Sequence, residues 1–97
     1  MRGWQIQELG EPWRKMVQVE LPTPEPGPGR VVIQVETADI NFADILQCQG
    51  KYQVKLTPPF VPGMGACGTV LAVGEDVSIP VGARIVGPTV GHHGAFA

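Results

Sequence analysis

Thiols and imidazoles are the side chains of this 97-residue chain whose chemistry is easiest to recognise from sequence. The two cysteines, Cys48 and Cys67, lie too far apart for a Cys-x-x-Cys motif, and no histidine follows either at zinc-finger spacing. His92 and His93 are adjacent, so in an extended segment their side chains point in opposite directions. We therefore expect no metal site, two free buried thiols and a solvated histidine loop.

A glycine-rich stretch that starts at Pro62 could let the backbone approach a ligand or another strand closely. Gly63, Gly65 and Gly68 precede an apolar run from Thr69, which predicts a loop that leads into a buried strand. A dinucleotide-binding loop would open a helix instead, so we reject that interpretation. A packing role remains for at least some of these glycines, because they let a barrel turn a corner.

Asn41 and Asp44 have the spacing of a helix start. Asn41 stands where an N-cap belongs, and Asp44 can face the free amides of the first turn. The helix is predicted from Phe42 to about Gln47, and Gly50 marks its end. Phe42 is predicted to belong to the core. Capping explains the spacing of Asp44 without any ligand.

Length and charge describe one small domain with no nucleic-acid-binding face. A chain of 97 residues fits a single domain. The net charge is -2 and the lysines and arginines are scattered, so no basic surface is predicted for a nucleic-acid backbone. No apolar run approaches the ~20 residues of a membrane span, and the N-terminus lacks a secretory signal pattern. We expect a soluble, cytoplasmic protein that contacts neither nucleic acid nor membrane.

Short strands separated by glycine and proline turns account for most of the chain. Apolar and polar or small residues alternate or cluster in five segments, which predicts strands at 3–9, 16–21, 30–37, 69–73 and 84–86. The proline-rich segment 22–29 is predicted to be an extended surface loop, and 91–94 a loop near the end. One small helix among such strands indicates an all-β barrel or sandwich.

Several short motifs occur in a recognisable order along nearly the whole chain. They are Trp4-Gln-Ile-Gln-Glu-Leu-Gly10, Asn41-Phe-Ala-Asp44, Gly50-Lys-Tyr52, Pro62-Gly63, Gly68-Thr-Val70 and Val81-Gly-Ala-Arg-Ile-Val86. Together they resemble the N-terminal GroES-like domain of medium-chain dehydrogenases/reductases, and most closely the zinc-independent NADPH:quinone oxidoreductase branch. The resemblance implies a mainly β fold, a GroES-like partly open β-barrel with one or two short helices.

The resemblance also implies a two-domain enzyme. Residues 1–97 would be the GroES-like domain, whereas NADPH would be held mainly by a Rossmann domain, whose glycine motif does not occur in this sequence. We expect a truncated domain that is inactive alone. In the full-length enzyme, for which a homodimer is one expectation, a hydride would pass from the nicotinamide to a quinone or enone.

Two residues would be catalytic by the same resemblance. Asn41 would hydrogen-bond near the nicotinamide or the substrate carbonyl, and Tyr52 would line the pocket and donate its hydroxyl to that oxygen. Asn41 and Asp44 would bind the cofactor, with helix capping as the alternative role of Asp44. Tyr52 could instead be a plain surface tyrosine.

Catalytic zinc is not expected, because the relatives that use it hold the ion with Cys and His ligands. Those relatives carry a Cys near the position of Asn41 and Gly-His-Glu at positions 63–65, and neither occurs in this sequence. Two departures from the quinone oxidoreductase pattern also stand out. Gly65 replaces the usual Glu, and Ala83 replaces the usual Asp, which can leave Arg84 without its expected partner.

A function of another class is also compatible with the sequence. A stand-alone GroES-like barrel could act as a binding or assembly module without catalysis. The assembly interpretation predicts oligomers and no NADPH-dependent turnover, and the reductase interpretation predicts the reverse for the full-length enzyme. A third interpretation keeps the reductase but changes the acceptor to an enoyl thioester or enone, because fold does not fix substrate.

Overall fold

The computed structural model describes residues 1–89, which form two antiparallel sheets and two helices. In chain order the elements are β1 (Arg2–Ile6), α1 (Pro12–Lys15), β2 (Met16–Glu20), β3 (Val31–Ala38), α2 (Phe42–Gln49), β4 (Gly65–Val73) and β5 (Arg84–Pro88). All five strands were predicted, but β4 begins at Gly65, so the loop predicted over Gly65 and Gly68 is wrong, and the short helix α1 was not predicted. The proline-rich segment 22–29 contains no strand or helix, as expected.

The first sheet, β1 paired with β2, carries the buried cluster that holds helix α2. Ile6 exchanges two backbone hydrogen bonds with Phe60, at 2.8 and 3.1 Å. Ile6, Phe60 and Cys48 are buried together, and Met16 and Leu56 pack against them. Burial of a side chain such as Ile or Phe contributes about 1.5–3 kcal/mol. Because Cys48 belongs to α2, this cluster fixes the helix against β1.

Helix α2 begins and ends at the predicted caps. The Asn41 backbone is extended, with φ of -111°, and its N–H donates to Asp44 Oδ2 at 2.8 Å. At the other end Gly50 adopts the left-handed conformation, with φ of 73°, and its N–H donates to the Gln47 carbonyl at 3.0 Å. Glycine takes this conformation without the steric cost that a Cβ imposes. The predicted cap signals are therefore confirmed.

The prediction that Phe42 belongs to the core is wrong, because its side chain is 74% exposed. The buried face of α2 contains Asp44, Gln47 and Cys48. Residues two positions apart on a helix face nearly opposite directions, so burial of Asp44 turns Phe42 outwards.

The second sheet has the order β3-β4-β5, with β4 in the centre. Alternate residues of β4, namely Ala66, Gly68 and Val70, are buried. A Cβ at Gly68 would overlap the backbone carbonyl of Gln34 on β3, so only glycine allows this approach of the two strands. The β3–β4 ladder has register shifts between Val32 and Ile33 and between Val35 and Thr37.

Arg84 has no acidic neighbour at position 83 and pairs with Glu36 instead. Its guanidinium donates to Glu36 Oε2 at 2.7 Å, and the Thr69 hydroxyl donates to Glu36 Oε1 at 2.9 Å. Glu36 lies at the register shift between Val35 and Thr37 and has no partner residue on β4. Its side chain reaches across β4 to β5. The two charged side chains are 40% and 70% exposed, so the pair contributes at most about 1 kcal/mol.

The described residues confirm the predicted fold class: mainly β, with two helices and sheets that do not close into a full barrel. Neither helix in residues 1–89 is long and apolar enough to cross a membrane. The loop predicted at 91–94, with His92 and His93, lies outside the described residues.

Candidate functional site

An open pocket of about 380 Å³ lies where the β3–α2 connection meets the start of β4 and the end of β5. Its size is within the range of small-molecule sites. The lining combines small and apolar residues with a few polar ones. These residues are Thr37, Asp39, Asn41, Met64, Gly65, Ala66, Cys67, Val86, Gly87 and Pro88.

Asn41 is the sequence-predicted site residue that lines this pocket. It is exposed, and it stands between the end of β3 and the first turn of α2. Its backbone N–H is held by the Asp44 carboxylate, and its carbonyl accepts from the Asp44 N–H at 3.0 Å. The cap therefore fixes the backbone from which the Asn41 amide projects.

Asp44 and Tyr52 are not among the residues that line the pocket. Asp44 is 3% exposed, and its Oδ1 is buried without a hydrogen-bond partner within residues 1–89. A buried carboxylate oxygen with no donor carries a desolvation cost. Tyr52 is half-buried in the irregular segment that follows α2. The structure thus brings together Asn41 and Asp44 through the cap, and Tyr52 does not line the pocket that contains Asn41.

Asp39 is a pocket residue that the sequence analysis missed. Its N–H donates to the Gly65 carbonyl at 3.4 Å. A Cβ built at Gly65 would lie 2.6 Å from Asp39 Oδ1, so the carboxylate occupies space that a side chain at position 65 would need. Two signals were present in the sequence: an acidic residue directly after a strand, and glycine at the position where the family resemblance implies Glu. Neither signal indicates that positions 39 and 65 touch.

The two thiols differ in surroundings. Cys48 is 1% exposed, which confirms the prediction for that residue, whereas Cys67 is only half-buried and lines the pocket. The difference follows from β4, where Ala66 and Gly68 take the buried face and Cys67 the other. Burial, and then the nearby negative charge of Asp44, raise the pKa of the Cys48 thiol above its ordinary value.

A metal centre and a second cleft are the alternative kinds of site in residues 1–89. Within residues 1–89, no three His, Cys, Asp or Glu side chains are grouped to hold a metal ion. A second cleft of about 360 Å³ lies beside β3 and is lined largely by apolar residues such as Val31, Ile33 and Ile85. None of the predicted site residues lines this cleft. The pocket at Asn41 is therefore the candidate site.

Comparison with protein families shows where this architecture belongs. Residues 27–96 match the family model of the alcohol dehydrogenase GroES-like domain. The chain belongs to this family. The family predicted from the order of the sequence motifs, within the medium-chain dehydrogenases/reductases, is thus confirmed.

Individual relatives agree with this assignment. The chain is 42% identical over 87 residues to the quinone oxidoreductase-like protein 2 homolog of Nematostella vectensis, which covers 89% of this chain and 23% of that protein. It therefore spans about a quarter of the length of that curated relative.

Two solved structures share the fold. A probable oxidoreductase from Mycobacterium abscessus superposes with a TM-score of 0.86 at 36% identity, covering 96% of this chain and 30% of the other. The quinone oxidoreductase from Thermus thermophilus, solved also as its NADPH complex, gives a TM-score of 0.66 at 36% identity, covering 91% and 30%.

Proposed function

We propose that this chain is the substrate-side domain of a zinc-independent, NADPH-dependent reductase of quinones or enones, whose cofactor domain lies outside these residues. The observation that carries the proposal is the position of Asn41, which lines an open pocket and has its backbone N–H held by Asp44. Family membership and the similarity to quinone oxidoreductases support the same reaction class. The 97-residue chain alone is proposed to be inactive, because it supplies one wall of the site.

The pocket residues fit the nicotinamide end of such a cofactor. A side-chain amide both donates and accepts hydrogen bonds, which suits a carboxamide or a substrate carbonyl. Asn41 is the residue that would contact this group. When bound, NADPH would supply the hydride, and the protein supplies position and polarity.

Each proposed residue has a separate task. The Asn41 amide would donate to the acceptor carbonyl oxygen and stabilise the negative charge that develops there. Asp44 is proposed as a positioning residue, because its buried carboxylate bonds the Asn41 backbone. Tyr52 is proposed as a second hydrogen-bond donor on the family resemblance. Its side chain is half-buried in the segment after α2, so part of it remains accessible to a ligand.

The test uses the full-length gene product that contains this domain. Consumption of NADPH is followed by absorbance with a simple quinone and with an enone, in the presence and absence of a zinc chelator. We expect turnover that the chelator does not affect. Turnover lost on chelation would refute the zinc-independent chemistry, and stable oligomers without any turnover would favour the assembly function instead.

Two variants examine the residue roles. Asn41→Ser removes the amide but keeps a favoured N-cap residue, so kcat/KM should fall about tenfold to a hundredfold with the fold intact. In Tyr52→Phe, kcat/KM should decrease less, by about tenfold, because only one hydroxyl is lost. The exposed neighbour Gln53 provides the matched control, and Gln53→Ala should retain full activity. Unchanged kcat/KM in Asn41→Ser would contradict the assigned role.

A further inference from the structure

We propose that Asp39 makes this pocket select its acceptor by charge, favouring cationic and neutral quinones or enones over anionic ones. The inference rests on the proposed function for the class of ligand. The preference for one ligand charge over another is inferred from the geometry of the described residues.

The Asp39 carboxylate stands at the wall of the pocket. Asp39 lines the same pocket as Asn41 and stands against the start of β4. Gly65 leaves the space in which the carboxylate lies, since a Cβ there would be 2.6 Å from Oδ1. A side chain at position 65 would displace the acid from this position. Glycine at 65 and aspartate at 39 are therefore one arrangement that keeps a negative charge at the pocket wall.

No cation in residues 1–89 forms a salt bridge with Asp39. Among the ten lining residues, Asp39 is the one that carries a formal charge, and none is Lys or Arg. Arg84, on the neighbouring strand β5, is held by Glu36 at 2.7 Å. Within residues 1–89, no salt bridge or side-chain hydrogen bond joins Asp39 to another residue. The charges in the part of the chain that the structure describes therefore make the field in the pocket negative.

The size of the effect follows from Coulomb interaction in an open, hydrated pocket. A ligand anion about 5 Å from the carboxylate would be disfavoured about threefold at ~0.01 M salt. Selection by charge should weaken as salt shortens the Debye length to about 3 Å at 1 M. A neutral ligand should show no such dependence.

The experiment measures binding to the 97-residue chain and requires no turnover. The probes are three tetrasubstituted benzoquinones that differ only in a side chain ending in ammonium, hydroxyl or carboxylate. Full substitution leaves no free ring position for addition of the Cys67 thiol. Dissociation constants are read from the backbone amide shifts of Asn41, Gly65 and Cys67. We expect affinity to decrease from ammonium to hydroxyl to carboxylate, by about threefold per step at low salt.

The decisive variant is Asp39→Asn, which keeps the shape of the side chain and removes its charge. We expect the three constants to converge and the salt dependence to disappear. Glu75→Gln is the matched control, because Glu75 is exposed in the turn after β4, at the end opposite Gly65, and the same charge change there should leave the order intact.

Three outcomes would overturn the proposal: equal affinity of the three quinones for the parent chain, an order that Asp39→Asn leaves unchanged, or no shift at these amides with any of them. Failure of the proposed function is a different result. It would be absence of NADPH-dependent turnover in the full-length protein, and the binding constants would stand.

Discussion

Asp39 precedes Asn41 in the chain and Asp44 follows it, and the two carboxylates have opposite surroundings. Asp44 is 3% exposed and bonds the Asn41 N–H, whereas Asp39 is exposed and lines the pocket. Each also has a cysteine on its own side: buried Cys48 shares the inner face of α2 with Asp44, and half-buried Cys67 lines the pocket with Asp39. Asp44 fixes the backbone of Asn41, and Asp39 places a negative charge at the pocket wall.

Residue type and distance from a site residue therefore do not assign a role. Burial and hydrogen-bond partners do. A carboxylate whose oxygen is engaged by the backbone contributes to folding stability, and an exposed carboxylate without a protein partner remains available to a ligand. Substitutions on the two sides should therefore affect different measurements.

The largest effect on stability is expected for Asp44→Ala. Loss of the bond to the Asn41 N–H should lower the free energy of unfolding by about 1–2 kcal/mol, the range for loss of a helix cap. Chemical denaturation of the 97-residue chain measures it. A loss no greater than that of Asp39→Ala would remove the distinction between the two acids.

The second effect concerns thiol reactivity. Cys67 should react with an aromatic disulfide reagent more than about tenfold faster than Cys48, because a buried thiol with a raised pKa needs local opening before it reacts. Two rate phases should be resolved at pH 8. Cys67→Ser should abolish the fast phase, and loss of the slow phase instead would contradict the described surroundings.

A third effect is alkaline destabilisation through Cys48. The pKa of this thiol is raised in the folded state, so the folded state favours the protonated thiol. The resulting contribution to the free energy of unfolding is fully present below the unfolded pKa of about 8.5 and is lost as pH rises towards the folded pKa. The loss cannot exceed about 1.4 kcal/mol per pH unit. Urea denaturation between pH 8 and 10 should show it in the parent and not in Cys48→Ala.

Asp44→Asn sharpens the same measurement. It removes the negative charge but not the burial, so the alkaline loss should become smaller without disappearing. Asp39→Asn should leave the loss unchanged. Equal changes in both variants would mean that Asp44 has no special influence on Cys48.

The smallest effect is expected for Asp39→Asn on stability. An exposed side chain without a described ion pair should change the free energy of unfolding by no more than about 0.5 kcal/mol. The midpoint of chemical denaturation provides the test. A larger loss would show that Asp39 supports the fold. The space that Gly65 leaves for its carboxylate would then serve packing and not ligand selection.

Local features of the fold could be predicted from the sequence because local chemistry determines them. Alternation identified β3, and the Asn41, Asp44 and Gly50 signals identified both ends of α2. The short helix α1 was not predicted because its four residues, which begin with Pro12, are too few to show a hydrophobic period. Phe42 was misplaced because the buried face of a short helix depends on what packs against it.

The site was less predictable, because its contacts join residues that are distant in sequence. Asp39 meets Gly65, and Glu36 meets Arg84, only through the registers of β3, β4 and β5. The irregular pairing on β3 shifts that register, and no local pattern encodes the shift. Asn41 was found through its cap and the resemblance of its motif, not through the pocket around it.

The pairing of β3 with β4 has a consequence for how the chain folds. Val31 lies opposite Val73 and Ala38 opposite Ala66, so helix α2 and the segment that contains Tyr52 lie inside the loop that this pairing closes. Closing a long loop costs entropy before any contact compensates for it, and such non-local pairing folds in milliseconds to seconds rather than microseconds. The ends of the helix are set by neighbouring residues, but the pocket exists only after the two strands meet.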